Sequence, residues 1–193
     1  MSTVTNVLLV GVGGQGTILA SKVLAGVLAC LGHDVKMSEV HGMAQRGGSV
    51  VTQIRYGDKV YSPLIELGEA DVIVAFERLE AMRWVRYLRP GGTVIVNDLA
   101  LPPLPVLIGQ AKYPKGLIEE MKQRGHRVVA VDANSLAREA GNARTQNTVL
   151  VGAMSRVLGI GSKEDWLQVI AQTVPPKTVE VNQRAFELGY QAQ

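Results

Sequence analysis

Two glycine-bearing stretches are where this chain could do chemistry. The first is Gly11-Val12-Gly13-Gly14-Gln15-Gly16, followed by Thr17. In a turn between a strand and a helix, Gly11 permits a tight bend. Gly13 lets a ligand approach the backbone, and Gly16 lets helix and strand pack closely. The amides at the helix start then face a phosphate or a carboxylate. The second stretch, His41-Gly42-Met43-Ala44-Gln45-Arg46-Gly47-Gly48, puts an imidazole, an amide, a guanidinium and three glycines into eight positions. Arg46 offers a planar fork for carboxylate or phosphate, and His41 and Gln45 can orient polar groups. Glu39 lies roughly 20 residues beyond the first turn, where an acidic side chain grips a ribose in dinucleotide sites. Each feature has a plainer reading. The first loop packs tightly or seats a partner protein, Arg46 makes a surface salt bridge, and Glu39 anchors a loop.

These residues need elements to hold them. Asn6–Val10 is a short apolar run, read as a buried strand. Thr17–Leu31 carries apolar residues at Ala20, Val23, Leu24, Val27, Leu28 and Leu31, which is helical spacing, and Gly32 stops it. Val35–Ser38 reads as a second, parallel strand, completing a β-α-β unit. Ser49–Arg55 and Lys59–Ser62, around Gly57-Asp58, read as a hairpin. Asp71–Phe76, Thr93–Asn97 and Val128–Val131 are further strands. Glu77–Leu88, Lys115–Arg124 and Asn134–Ala140 are helices, and proline-rich Leu99–Pro105 is extended and exposed. Thr145–Leu158, Lys163–Thr173 and Thr178–Tyr190 form a C-terminal helical layer. The expected fold is α/β, a Rossmann-like, mostly parallel sheet with an added hairpin, as a single domain over residues 1–193.

Composition narrows the function. The chain is 47% apolar but only 5% aromatic, so its core is aliphatic. The net charge of +3 is dispersed, with no basic stripe, and a nucleic-acid partner is not expected. Cys30 is the one cysteine, so the chain cannot ligate an iron–sulfur cluster by itself, and it reads as a buried small hydrophobe. His33, His41 and His126 lack metal-ligand spacing. The start, MSTVTNVLLV, has no signal-peptide pattern, and no long apolar span follows, so a cytoplasmic protein off the membrane is expected.

The order GVGGQG, SEVHGMAQRGGSV, VYSPLI, ADVIVAFERLEAMR resembles the gamma-type domain of 2-oxoacid:ferredoxin oxidoreductases. Asn97 with PVLIGQAKYP, and the later VPPK with Asn182 and AFE, are most similar to the small free-standing subunit of the indolepyruvate branch. The resemblance runs from Asn6 to Tyr190. It implies an enzyme that oxidatively decarboxylates a 2-oxoacid to an acyl-CoA and reduces ferredoxin. It also implies that thiamine diphosphate and 4Fe-4S clusters reside in a larger alpha subunit, with no cofactor held by this chain alone. On that reading the Gly11–Thr17 loop, with Glu39, His41, Gln45, Arg46, Gly47 and Gly48, helps form the coenzyme A site. Two alternatives stand beside it. One is a free-standing NAD(P)-binding oxidoreductase resting on Gly11–Gly16 and Glu39. The other is a purely structural subunit whose glycine loops only seat the alpha chain.

Overall fold

Val7-Leu8-Leu9-Val10 is apolar at every position, which suits a strand buried on both faces. It forms the centre of β1 (Thr5–Val12) in the computed structural model, which describes residues 4–42 and 47–192, the His41 side chain excepted. Next come α1 (Thr17–Cys30), β2 (Asp34–His41), β3 (Ser49–Gly57), β4 (Ala70–Ala75), α2 (Arg78–Trp84), β5 (Leu88–Asn97) and α3 (Leu104–Leu107). The chain ends with α4 (Leu117–Gln123), β6 (Arg127–Val131), α5 (Ala133–Glu139), α6 (Gln146–Leu158), α7 (Lys163–Thr173) and α8 (Val179–Gln191). One six-stranded sheet runs β2-β3-β1-β4-β5-β6. Val7 and Leu9 face a core shared with α1 and the C-terminal helices, while Leu8 and Val10 face a smaller one with α2 and α4. The α/β class and the C-terminal helical layer are as expected.

The strand order corrects one expectation. β2 runs in the same direction as β1 but does not pair with it. Instead β3 lies between them, antiparallel to both. The hairpin is therefore β2–β3, and the segment after Gly57-Asp58 does not return as a strand. Burial explains the choice. Val50, Val51, Thr52 and Ile54 are buried in β3, as an interior strand requires, whereas β2 exposes Met37 and Val40 and takes the edge.

Three smaller expectations also change. Cys30, at the last position of α1, is exposed and not a core residue. The segment after Leu99 contains the short helix α3 and is not wholly extended. The helix after Glu77 stops at Trp84, and a 3-10 turn leads into β5 at Leu88. In the C-terminal layer α6 and α8 cross at Gly152 and Gly189, where their backbones nearly touch. A Cβ on Gly152 would sit 2.1 Å from the Phe186 carbonyl oxygen, and one on Gly189 would sit 1.9 Å from that of Val149.

Candidate functional site

In an open α/β sheet, ligands bind at the carboxyl ends of the parallel strands. Here β1, β4, β5 and β6 end at one rim. Because β3 is antiparallel, its first residue also arrives there, with Ser49 opposite Val12. The Gly13 amide donates to the Gly48 carbonyl at 2.9 Å, so the two glycine turns are stitched together. Gly13, Gly47 and Gly48 thus share one mouth. Residues 43–46 lie outside the described residues, and with them Gln45 and Arg46; the same holds for the His41 side chain.

Within the first turn, Gln15 folds inward. Its Oε1 accepts from the Val12 amide at 2.7 Å and its Nε2 donates to the Phe76 carbonyl at 2.8 Å. Asn97 donates to the same carbonyl at 3.3 Å and accepts from the Ala133 amide at 3.2 Å. Two carboxamides therefore lace the ends of the parallel strands together. This explains Gly11, where a Cβ would lie 2.9 Å from Gln15 Oε1 and 3.0 Å from Phe76 Cβ. Gly16 has a left-handed φ of 82°, and a Cβ there would press on the Asn147 amide at 2.6 Å. The close packing expected at Gly16 is real, but it is against the start of α6. Among the described residues no side chain caps α1, so its first-turn amides point to the rim beside exposed Gly14 and buried Thr17.

Beside this turn sit two buried acids. Glu77 is 1% exposed and Glu80 is 2% exposed. Glu77 caps α2. Its Oε2 accepts from the Glu80 amide at 2.9 Å, and its Oε1 accepts from the Leu101 amide at 3.1 Å and from the Tyr113 hydroxyl. Burial, and next the bond to Glu77, push the Tyr113 hydroxyl above the ordinary phenol range, so it stays a neutral donor. Glu80 accepts from Ser49 Oγ at 2.6 Å and pairs with Arg83 at 2.6 Å, holding the return of the second turn against α2. Replacing Glu77 with Leu leaves these donors without an acceptor. A loss of about 2–3 kcal/mol is expected in urea unfolding; a midpoint equal to that of the parent would show that the network carries no stability.

Two clefts flank the glycine turn. One, of about 540 Å³, is lined by Gly13, Gly47, Glu77, Glu80, Arg83 and the wall from Leu101 to Leu107. The other, of about 580 Å³, is lined by Gly14, Gln15, Leu99, Leu101, Asn134, Arg144 and Gln146. Each brings one guanidinium to one side of the turn. Just before α6, Asn142 accepts from the Arg144 amide at 3.0 Å and so fixes the turn that presents Arg144. Glu39 lies on the edge strand β2, with β3 between it and β1, and accepts from Ser21 Oγ at 3.1 Å. It is thus one strand spacing, about 4.8 Å, further out than a ribose-gripping acid on a neighbouring strand would be. Glu80, Ser49 and Tyr113 were not singled out from the sequence. Only the three-residue spacing of Glu77 and Glu80 on a helix start hinted at a pair.

Among the described residues no group of three or more His, Cys, Asp or Glu side chains could hold a metal ion. Among them, too, no helix is long and apolar enough to cross a membrane.

Residues 6–192 match the family described as pyruvate ferredoxin/flavodoxin oxidoreductase. The chain is 45% identical over 193 residues to indolepyruvate oxidoreductase subunit IorB of Thermococcus kodakarensis, covering 97% of this chain and 95% of that one. Among solved structures it resembles the pyruvate oxidoreductase subunit PORC of Thermotoga maritima, with a TM-score of 0.74, 25% identity, and 98% and 96% of the two chains covered. The same fold is found in the 2-oxoglutarate:ferredoxin oxidoreductase of Magnetococcus marinus, solved with 2-oxoglutarate, coenzyme A and succinyl-CoA. There the TM-score is 0.74 at 20% identity, over 98% of this chain and 31% of that longer one. With a family match over nearly all its length, and small-subunit relatives of its own size, this chain belongs to the pyruvate ferredoxin/flavodoxin oxidoreductase family as a small, gamma-type subunit of a 2-oxoacid:ferredoxin oxidoreductase.

Proposed function

We propose that this chain is the small subunit of an indolepyruvate-type oxidoreductase and that its rim builds the coenzyme A region. A larger alpha subunit holds thiamine diphosphate and 4Fe-4S clusters, which supply the decarboxylation and electron-transfer chemistry, with ferredoxin as the acceptor. One cysteine in this chain is consistent with that division. The observation that carries the reading is the bond from the Gly13 amide to the Gly48 carbonyl, which makes one mouth of two glycine turns.

The chain's own groups suit an anionic, elongated ligand. The start of α1, uncapped among the described residues, offers amides and the positive end of a helix dipole. Arg83 and Arg144 flank it in the two clefts, and Arg46 directly precedes Gly47 in the sequence. These groups would bind and orient the phosphates, leaving the reacting thiol to extend toward the larger subunit. The Gly13 amide is already engaged, and Glu39 is set back behind β3. Both features disfavour the dinucleotide reading.

Changing Arg46 to Ala in the assembled complex is expected to raise the KM for coenzyme A about tenfold or more, through loss of a charged hydrogen bond, with subunit assembly retained. An unchanged KM in an intact complex would remove Arg46 from that role. If Arg83→Ala and Arg144→Ala were silent as well, the purely structural alternative would be favoured.

A further inference from the structure

Between β5 and α4 the chain leaves the sheet and returns, and both ends of this excursion are fixed to one buried atom. The Leu101 amide and the Tyr113 hydroxyl meet Oε1 of Glu77. The Arg78 amide adds a bond to the Leu99 carbonyl at 3.0 Å. The excursion is also braced within. Ile108 donates to the Leu104 carbonyl at 3.0 Å, and the Gln110 and Ala111 amides donate to the Pro105 carbonyl at 2.8 and 3.0 Å. Pro102, Pro103 and Pro105 fix their own φ angles. The result is a preformed finger whose helical turn is α3.

Its tip is apolar and in water. Leu104, Leu107 and Ile108 are 68%, 69% and 57% exposed. Their spacing of three and four residues sets them on one face of the turn. A braced segment cannot fold such side chains away, and clustered exposed apolar groups mark interaction sites. From Leu99 to Ile118 there is no Asp or Glu; Lys112 stands exposed on the finger and Lys115 at its root, where Asp98 and Glu119 line the same cleft.

We infer that this finger is a docking element for the larger subunit, entering an apolar recess on that subunit whose rim carries carboxylates. The inference rests on the two-subunit reading above. Apolar anchors match a recess, and exposed lysines match an acidic rim. A two-fold contact of two fingers would instead set Lys112 and Lys115 against their own copies, which disfavours self-association. Because the finger is already ordered, docking loses little conformational entropy.

The test uses the full chain with its larger subunit. The Leu104→Asp/Leu107→Asp variant is expected to keep the parent's melting temperature and circular dichroism, and to bind the larger subunit at least about 100-fold more weakly. Lys112→Glu/Lys115→Glu, which alters only exposed charges, is expected to slow association about tenfold at low salt, the difference fading at high salt. A folded Asp variant that assembles with parental affinity overturns the inference while leaving the two-subunit reading intact. So does a variant that assembles with parental affinity and loses only coenzyme A affinity, which would leave Leu104 and Leu107 as lining of the cleft and nothing more. A parent chain that never binds a larger subunit sinks the two-subunit reading itself. If the Asp variant does not fold, the lysine pair decides: a parental association rate at low salt overturns the inference.

Discussion

Given indolepyruvate, coenzyme A and a viologen acceptor under anaerobic conditions, the isolated chain is expected to show no turnover. Adding the larger subunit is expected to restore it fully. Decarboxylating a 2-oxoacid needs an electron sink at the carbonyl carbon, and oxidising the product needs carriers that accept single electrons; both are cofactor chemistry. This chain has one cysteine, too few to hold a cluster alone. The acids at its rim, Glu77 and Glu80, are engaged by Tyr113, Leu101, Ser49 and Arg83. Viologen reduction by the purified lone chain, above that of a boiled sample, would contradict the proposed division of labour.

The second large effect concerns the crossing of α6 and α8. Gly189→Ala puts a methyl carbon 1.9 Å from a backbone carbonyl oxygen, and Gly152→Ala puts one 2.1 Å from another. Neither obstacle is the end of a flexible side chain, so the helices must separate. Separation disturbs Phe186, Val149 and Trp166, which are buried in the larger core. Overpacking of this kind costs about 3 kcal/mol or more, which for a chain of this size lowers the melting temperature by roughly 10 °C. Gly159→Ala is the control. Gly159 has φ 62° but open space around it, so only the left-handed backbone is strained, at about 1 kcal/mol. Equal melting temperatures for Gly189→Ala and Gly159→Ala would mean that the crossing yields easily.

How far the sequence carried these conclusions depended on distance along the chain. Helices whose pattern lies within the segment were read closely, and Lys163–Thr173 coincides with α7. The β1–turn–α1 start was legible for the same reason: apolar run, glycines and helical spacing are contiguous. Strand order was not. Whether β2 or β3 lies beside β1 is decided by competition for the buried position, and the deciding contrast is between two segments. The polar network was hidden too. Glu77 is buried because Tyr113, 36 residues away, delivers its hydroxyl, and Glu80 because Ser49, 31 residues before it, does the same. Neither separation leaves a local pattern. Leu99–Pro105 reads as extended because prolines dominate it, yet two of them, Pro103 and Pro105, begin a helical turn where a missing amide proton does no harm.

The reversed direction of β3 has a mechanical outcome. A parallel neighbour of β1 would start at the far edge of the sheet and bring only its own exit to the ligand side. A reversed neighbour brings an entry instead, so β3 begins at the mouth, where the Gly48 carbonyl just before it is tethered to Gly13. A displacement of the turn after β1 is therefore passed directly to the start of β3 and, through the β2–β3 ladder, to the edge strand.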